Sequence, residues 1–242
     1  MLSILIATAA GAQALTTTTT RAWPRSAVHS PHSRARPPLC LEKDEVISRL
    51  NAVPVFGVSN GAKQLMSTGD AETGDPVITF YLDVAEAQAR LAAASAANPG
   101  ADVQLMVAPL GRAFTMRPQG MSVRLQPSQA AYNGVRESLG FPGADASSAQ
   151  LVPLFYSDEL KFEGSPDPSG SSSSMTPFFF TVDEYRAAWV ESGQDVNELP
   201  GFQLTDLRSL AYKLEHDADW RSAMLIPPED GVAFASGGSR GQ

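Results

Sequence analysis

The sequence predicts an α+β fold that contains an internal duplication of one half-domain. Three blocks of residues recur in the same order, and the offsets between paired blocks are nearly constant. A period of about 100 residues is too long for a solenoid repeat and is typical of a duplicated half-domain. We therefore expect an internally duplicated, pseudo-two-fold body in which each half has the order β-β-β-α-β-α-β. The paired blocks are Val53–Phe56 with Val152–Phe155, Val77–Asp83 with Phe178–Asp183, and Leu110–Phe114 with Leu207–Tyr212.

The first half is predicted to span residues 42–140 and to begin with a helix and a hairpin. Apolar residues at helical spacing predict a helix at Glu42–Leu50. Val53–Ser59 alternates as a strand does, and Asn60-Gly61 is a turn signal that joins it to a return strand at Leu65–Thr68.

A buried strand and a capped helix follow the hairpin. Val77–Leu82 is continuously apolar, which predicts a strand that is buried on both faces. Asp83 is a favourable N-cap, with Glu86 at the N3 position of a capping box. The alanine-rich run Val84–Ala97 is helical by propensity. The remaining predicted elements are a strand at Val103–Ala108, a helix at Leu110–Met116, a strand at Ser122–Leu125 and a helix at Ser128–Leu139.

The second half, predicted to span residues 150–228, follows the same plan with longer connections. Gly164–Ser174 is rich in glycine, proline and serine and predicts a loop. Asp183 is predicted to cap a helix, as Asp83 does. The later elements are a helix with an i, i+3, i+4, i+7 apolar stripe (Leu207, Leu210, Ala211 and Leu214), a closing strand at Ala223–Ile226 and a tail over residues 229–242.

Two prolines stand near predicted strand starts, one in each half. Proline cannot donate a hydrogen bond to an interior ladder, so it is normally confined to edge strands, bulges or the first residue of a strand. We therefore expect Pro54 and Pro153 to lie on edge strands or at bulges.

Residues 1–41 are predicted to be a targeting leader. A short apolar segment and the small-x-small pattern Ala12-Gln13-Ala14 predict a signal peptide over residues 1–14. Residues 15–41 contain four arginines and no acidic residue, as expected of a plastid transit peptide. The two signals in this order predict entry into a complex plastid through the secretory pathway. A secreted protein with a disordered pro-segment is the alternative.

The composition of the predicted body restricts its partners. All 26 acidic residues lie at or beyond Glu42, whereas four of the 18 basic residues lie in the leader, so the body carries 14 − 26 = −12 formal charges. This charge would repel nucleic acid and anionic lipid and could attract basic clients, and solubility alone is a sufficient reason for it. No apolar run approaches the roughly 20 residues that span a bilayer, so no integral membrane segment is predicted.

Few residues of the body suit catalysis or metal binding. The only cysteine is Cys40, and His216 is the only histidine beyond the leader, whereas zinc sites usually need several such ligands. The glycine-rich nucleotide-binding patterns are absent. His216 is more simply placed near the C-terminal end of a helix, where its charge is favourable. We therefore predict no catalytic, cofactor-binding or metal-binding residue, and we do not expect an enzyme.

The order of the repeated blocks resembles that of a known family. A Val-Pro-Val-Phe block, an apolar strand that ends in Asp, an amphipathic helix and a Leu-x-x-Ala-Phe/Tyr helix start are similar to the twenty-two-kilodalton Tic component. That family comprises soluble proteins associated with the translocon of the inner chloroplast envelope. The resemblance covers Glu45–Pro228. The matching positions are Val53, Pro54, Phe56, Phe80, Asp83, Leu110, Phe114, Val152, Pro153, Phe155, Phe180, Asp183, Leu207 and Tyr212.

The resemblance implies a pseudo-symmetric α+β body with apolar grooves and a non-enzymatic role in plastid protein import. The family's clients are preproteins or outer-envelope barrel proteins, which it is thought to escort across the envelope intermembrane space beside other translocon subunits. Leu110, Phe114, Leu207 and Tyr212 are our candidates for client binding, because they lie on corresponding helices of the two halves. The alternative for these apolar stripes is that they belong to the core.

Two other functions remain open on the sequence alone. An enzyme with carboxylate chemistry could use Asp83 and Asp183, although both are better explained as helix caps. A photosynthetic or thylakoid-lumen structural subunit would share the leader and the acidic body. The plastid compartment in which the protein accumulates separates the import factor from the lumenal subunit.

Overall fold

In a computed structural model of the chain, two groups of strands share one hydrophobic core. The structure describes residues 41–70, 73–116, 122–139, 151–163 and 174–237, all of which belong to one compact unit. The predicted leader up to Cys40 lies outside these residues, as does the predicted Gly164–Ser174 loop apart from Ser174. The element content is α+β, as the sequence predicts.

The described part of the chain contains ten strands and seven α-helices. The strands are β1 (Pro54–Asn60), β2 (Ser67–Gly69), β3 (Pro76–Tyr81), β4 (Val103–Pro109), β5 (Ser122–Gln126), β6 (Pro153–Tyr156), β7 (Phe162–Glu163), β8 (Ser174–Phe178), β9 (Gln203–Asp206) and β10 (Ala223–Leu225). The helices are α1 (Lys43–Leu50), α2 (Val84–Ala97), α3 (Leu110–Thr115), α4 (Gln129–Leu139), α5 (Val182–Glu191), α6 (Leu207–His216) and α7 (Glu229–Gly237).

The strands of the first half form one sheet in the order β4-β1-β3-β5, with β2 paired to the start of β3. β1 is antiparallel to β3 and β4, whereas β5 is parallel to β3. Pro54 is the first residue of the interior strand β1, so the expectation of an edge strand or bulge is wrong. The pairing of β1 with β3 begins only at Phe56, so the missing N–H of Pro54 removes no ladder hydrogen bond.

In the second half, β6 pairs with β9 in a two-stranded sheet, and β8 lies between β10 and β7 in a separate three-stranded sheet. β6 is antiparallel to β9, and β10 is parallel to β8. Phe155 and Phe179 exchange two backbone hydrogen bonds of 2.9 Å, which join β6 to the residues that follow β8. Pro153 is the first residue of β6, whose only partner strand among the described residues is β9, so the expectation of an edge strand agrees with the structure here.

The second long strand lies earlier in the chain than predicted. The apolar run Phe178–Asp183 predicts a strand, but β8 ends at Phe178 and α5 begins at Val182. Phe179 and Phe180 are nevertheless buried, with exposed fractions of 1% and 3%. The apolar run therefore contributes core side chains, although most of it is not strand.

Strands of both halves contribute side chains to one hydrophobic core. Val55 and Phe80 of the first half and Leu154 and Phe178 of the second are each at most 1% exposed and belong to one cluster. Burying an aliphatic or aromatic side chain of this size contributes about 1.5–3 kcal/mol. The two halves are therefore stabilised jointly.

Helix α1 links the two halves at one side of this core. It contacts α3 of the first half and α6 and β10 of the second, and its Leu50 is fully buried. Arg49 donates hydrogen bonds of 2.6 Å and 3.0 Å from Nη1 to the carbonyl oxygens of Arg221 and Ala223. The approach of α3 is close because Gly111 has no Cβ, which would lie 2.6 Å from the carbonyl oxygen of Ile47.

The folded part begins before the predicted boundary at residue 42. Leu41, the last residue of the predicted leader, is 4% exposed and belongs to the shared core. Its N–H donates a hydrogen bond of 3.1 Å to the carbonyl oxygen of Leu214. A chain shortened to remove the leader should therefore keep Leu41.

Helices α4 and α7 are exchanged between the halves. α4 follows β5 but contacts β6 and α5, where Gly134 allows close approach to the ring of Phe155. α7 follows β10 but contacts β1 and α2, and Phe234 packs edge-on against Phe56 with ring centroids 5.5 Å apart. The prediction of a tail from residue 229 is therefore wrong for Glu229–Gly237, and residues 238–242 lie outside the described part.

The helix caps agree with the sequence in one half and differ in the other. Asp83 is the N-cap of α2 and accepts a hydrogen bond of 2.9 Å from the N–H of Glu86. In α5 the N-cap is Thr181, which forms a reciprocal capping box with Glu184. The predicted cap at Asp183 is therefore wrong. Its carboxylate lies in the first turn of α5 and pairs with Arg186 at 3.3 Å.

We predict that Asp83→Ala and Thr181→Ala each lower the free energy of unfolding by about 1 kcal/mol, because each removes an N-cap acceptor. Asp183→Ala is the matched control and should cost only about 0.3–0.5 kcal/mol, the worth of an exposed helical ion pair. Urea unfolding of the three variants measures the difference. A larger loss for Asp183→Ala than for Thr181→Ala would contradict this assignment of the cap.

We also predict that Gly111→Ala destabilises the protein by about 1–3 kcal/mol, because the new methyl group would press on the backbone of α1. Gly201→Ala is the control, since a Cβ at that position meets no atom within 4 Å. Thermal unfolding followed by circular dichroism compares the two. Equal melting temperatures would show that α1 and α3 are not closely packed.

Candidate functional site

Two of the four predicted client-binding residues are core residues. Leu110 and Leu207 are the first residues of α3 and α6 and are 0% and 1% exposed. Their N–H groups donate hydrogen bonds of 2.8 Å and 2.9 Å to the carbonyl oxygens of Val53 and Val152. Each leucine therefore fixes a helix start against the strand of its own half and is closed to a client in this structure.

Phe114 and Tyr212 lie further along the same two helices and are more accessible. Phe114 is partly buried against the shared core. Tyr212 is 65% exposed, and its ring stacks on His216 with centroids 4.2 Å apart and an interplanar angle of 16°. Nδ1 of His216 also lies 2.8 Å from the carbonyl oxygen of Tyr212. Of the four predicted residues, Tyr212 presents the most apolar surface to solvent.

An aromatic cluster that the sequence did not indicate lies beside α6. The ring of Trp220 has its centroid 5.7 Å from those of Tyr156 and Phe178, and Nζ of Lys213 lies 3.8 Å above it. The cation–π contact occupies one face of the indole ring. The seven-residue spacing of Lys213 and Trp220 would predict this contact on a continuous helix. Trp220 lies instead in a short 3₁₀ turn after α6, so helical spacing does not predict it.

His216 ends α6 and is exposed, as its predicted place near a helix C-terminus requires. Asp217 is engaged elsewhere, because its side chain accepts a hydrogen bond of 3.0 Å from the N–H of Asp219. Among the described residues, no three His, Cys, Asp or Glu side chains are grouped so that they could hold a metal ion. In the same residues, no helix is long and apolar enough to cross a membrane.

A second candidate site is a cavity of about 220 Å³ where four helices begin. It lies among the first turns of α2, α4, α5 and α7 and therefore receives residues from both halves. Its size is below the roughly 300–1,000 Å³ of most small-molecule sites. The lining residues are Leu82, Asp83, Val84, Pro127, Ser128, Ala131, Phe180, Thr181, Glu184, Pro228, Glu229, Asp230 and Gly231.

Four of the polar side chains of this cavity cap helices, namely Asp83, Ser128, Thr181 and Glu184. Glu184 accepts hydrogen bonds from the N–H groups of Phe180 (3.2 Å) and Thr181 (3.0 Å). Burial raises the pKa of the Glu184 carboxyl above its ordinary value, and hydrogen bonds from Thr181 and Phe180 oppose that rise. Helix starts attract anions, but the carboxylates around this cavity would repel an anion. The cavity therefore lies at a junction between the two halves.

One further carboxylate connects α2 to α4 near this junction. The Oε1 atom of Glu86 accepts a hydrogen bond of 2.6 Å from the N–H of Gln129, the first residue of α4. Burial raises the pKa of the Glu86 carboxyl, and the Gln129 hydrogen bond acts in the opposite direction. Glu86 therefore caps α4 instead of completing the predicted capping box with Asp83.

A family model and a curated relative of this chain both point to the same family. The Tic22-like family model matches residues 3–236. The chain is 20% identical over 201 residues to the protein TIC 22-like, chloroplastic, of Arabidopsis thaliana, an alignment that covers 78% of this chain and 62% of that protein. The chain therefore spans less than two thirds of the length of this relative.

Two solved structures share the fold. Anabaena Tic22 (protein transport) superposes with a TM-score of 0.62 at 16% identity, covering 81% of this chain and 97% of the other. Tic22 from Plasmodium falciparum gives a TM-score of 0.61 at 16% identity, covering 81% and 98%. Because the family model spans almost all of the sequence, the chain belongs to the Tic22-like family.

Proposed function

We propose that this protein is a non-enzymatic plastid protein-import factor that escorts unfolded preproteins, or outer-envelope barrel proteins, across the envelope intermembrane space beside other translocon subunits. The observation that carries the proposal is the family match over residues 3–236. The chloroplastic name of the Arabidopsis relative and the transport description of the Anabaena structure agree with it. The predicted leader is consistent with a plastid destination.

The surface around Tyr212 is the part of the predicted client site that we retain. Tyr212 is largely exposed five residues after the start of α6, whereas Phe114, four residues after the start of α3, is partly buried against the core. An exposed aromatic side chain can hold an unfolded segment by apolar contact without nucleotide. The formal charge of −12 beyond Leu41 favours clients that are basic, and this attraction weakens as salt rises.

We further infer that the body is an internal duplication with pseudo-two-fold symmetry. Residues 54–126 and 153–225 have the same order of strands and α-helices, and three strand pairs of the first half (β1–β4, β2–β3 and β3–β5) have counterparts in the second (β6–β9, β7–β8 and β8–β10). The β1–β3 pair corresponds only to the isolated bridge between Phe155 and Phe179. Leu110 and Leu207 make the same backbone hydrogen bond, and α7 and α4 each cover the sheet of the other half. Unrelated backbone traces on superposing residues 51–125 with residues 150–227 would contradict this inference.

We predict that Tyr212→Ser keeps the fold but weakens client holding. Because the Tyr212 side chain is 65% exposed, its loss should change the melting temperature little. The measurement is suppression of aggregation of an unfolded client diluted from denaturant without ATP, beside circular dichroism. Val190→Ser is the matched control, since Val190 is 49% exposed on α5.

Two further variants complete this test. Leu207→Ser should unfold or strongly destabilise the protein, because truncating a buried leucine alone costs about 2–5 kcal/mol. Phe114→Ser should lower client holding if it remains folded. If Tyr212→Ser, Val190→Ser and the unmodified chain suppress client aggregation equally well, the surface around Tyr212 does not bind the client.

The proposed compartment has a separate test. Fractionation of plastids should recover the protein in the envelope intermembrane space, with envelope and thylakoid markers as controls. Recovery from the thylakoid lumen would instead favour the structural-subunit alternative. Recovery from the stroma would contradict the intermembrane-space escort.

A further inference from the structure

Strand β4 forms one edge of the first sheet, and it lacks the usual protection of an edge. Its seven residues, Val103–Pro109, include no charged side chain and have proline only at the last position. It pairs with β1 along its whole length and with no other strand of the described residues. Edge strands are normally protected by charges, prolines, bulges or a covering element. Helices α2 and α3 contact β4, but α2 contacts the neighbouring strand β1 as well, as a helix lying across the face of the sheet does. No described strand pairs with the outer edge of β4, which is therefore open for pairing.

The hydrogen bonds of β1 show which backbone groups of β4 face outward. The carbonyl oxygens of Val58 and Asn60 accept hydrogen bonds from the N–H groups of Met66 and Lys63, which lie between β1 and β2. The even-numbered residues of β1 therefore face the β2 side, away from β4. Neighbouring residues of a strand face opposite edges, so the odd-numbered residues of β1 face β4. Their partners in the register are the even-numbered residues of β4.

The odd-numbered residues of β4 therefore direct their N–H and C=O groups away from the sheet. These residues are Val103, Leu105 and Val107, and no described group hydrogen-bonds to their backbone on the outer side. Val107 is also 42% exposed. A strand docked here could exchange two hydrogen bonds with each of the three residues.

The corresponding edge strand of the second half, β9, is less suited to the addition of another strand. β9 has only four residues, and it ends at Asp206, whose carboxylate caps α6 through the N–H groups of Arg208 and Ser209. A negative charge at the end of a short edge is one of the devices that prevents strand addition. The open edge is therefore a feature of β4 and is not shared by β9.

We propose that the free edge of β4 binds an extended segment of an unfolded client by antiparallel or parallel strand addition. This inference rests on the proposed function and assigns it a second contact, distinct from Tyr212. The segment would have apolar side chains at alternate positions, no acidic residue, and basic residues at its ends. Main-chain hydrogen bonds give such binding its affinity, while alternate side chains give its selectivity.

The observations favour a client segment over a second copy of the chain. A stable protein–protein interface uses roughly 20–30 residues on each side, whereas this edge has seven. Two bodies that each carry −12 formal charges would also repel each other, while a segment with basic ends is attracted. The absence of charge on β4 itself suits apolar partner residues in the middle of the segment.

The test compares two substitutions at one position of the full chain. Val107→Pro removes an outward N–H without removing a donor to β1, whereas Val107→Thr keeps the N–H and the β-branched shape. The ligand is a fluorescent peptide of alternating valine and threonine with lysine at both ends. We expect Val107→Pro to bind it about three- to tenfold more weakly, the worth of one hydrogen bond, and Val107→Thr to bind it unchanged.

Amide hydrogen exchange on the unmodified chain gives an independent measurement. The N–H groups of Leu105 and Val107 should exchange more slowly when the peptide is added, whereas that of Met106 is already bonded to β1 and should change little. Equal peptide affinity in the two variants, or binding without this protection, would overturn the proposal. So would a dimer of the unmodified chain that Val107→Pro dissociates.

The failure of this inference can be told apart from failure of the proposed function. If Val107→Pro and Val107→Thr suppress client aggregation equally well, the β4 contact is contradicted and the import role stands. If the chain suppresses no aggregation but binds the peptide at β4 with the expected amide protection, the edge site stands and the chaperone activity is contradicted.

Discussion

The burial of strand side chains from both halves in one core is the constraint on which the rest of the structure depends. Phe80 and Phe178 come from different halves, yet both are almost completely removed from solvent in the same cluster. Leu50 of α1 and Leu41 before it extend this cluster between the halves. Because the inner surfaces are used for folding, contacts with other molecules are left to the outer helix faces and the sheet edges.

Much of the fold follows from local pattern, and the differences arise where packing decides. The helix starts at Leu110 and Leu207 and the cap at Asp83 are encoded locally and were predicted. The cap at Asp183 was wrong because Thr181, two residues earlier, is also a favourable N-cap and has Glu184 at the N3 position for a capping box. Helix α7 was missed because its sequence of small residues is weakly amphipathic, and its packing depends on the distant Phe56.

The candidate site was less predictable than the fold. A stripe such as Leu207, Leu210 and Leu214 has the same spacing whether it faces a core or a groove, so the sequence could not separate the two. Tyr212 lies outside that stripe on the helix surface, and this position is what exposes it. The outward direction of the Val107 backbone depends on the register of β1 with β4, which no local signal specifies.

The exchange of α4 and α7 affects the order in which the chain can fold as it is synthesised. Phe56 of the first sheet is covered by Phe234, so this contact forms only when nearly all of the chain has emerged. Contacts so distant in sequence slow folding, because a long loop must close before they stabilise anything. The packing of the first sheet around Phe56 is thus completed only when the C-terminal helix α7 has been synthesised.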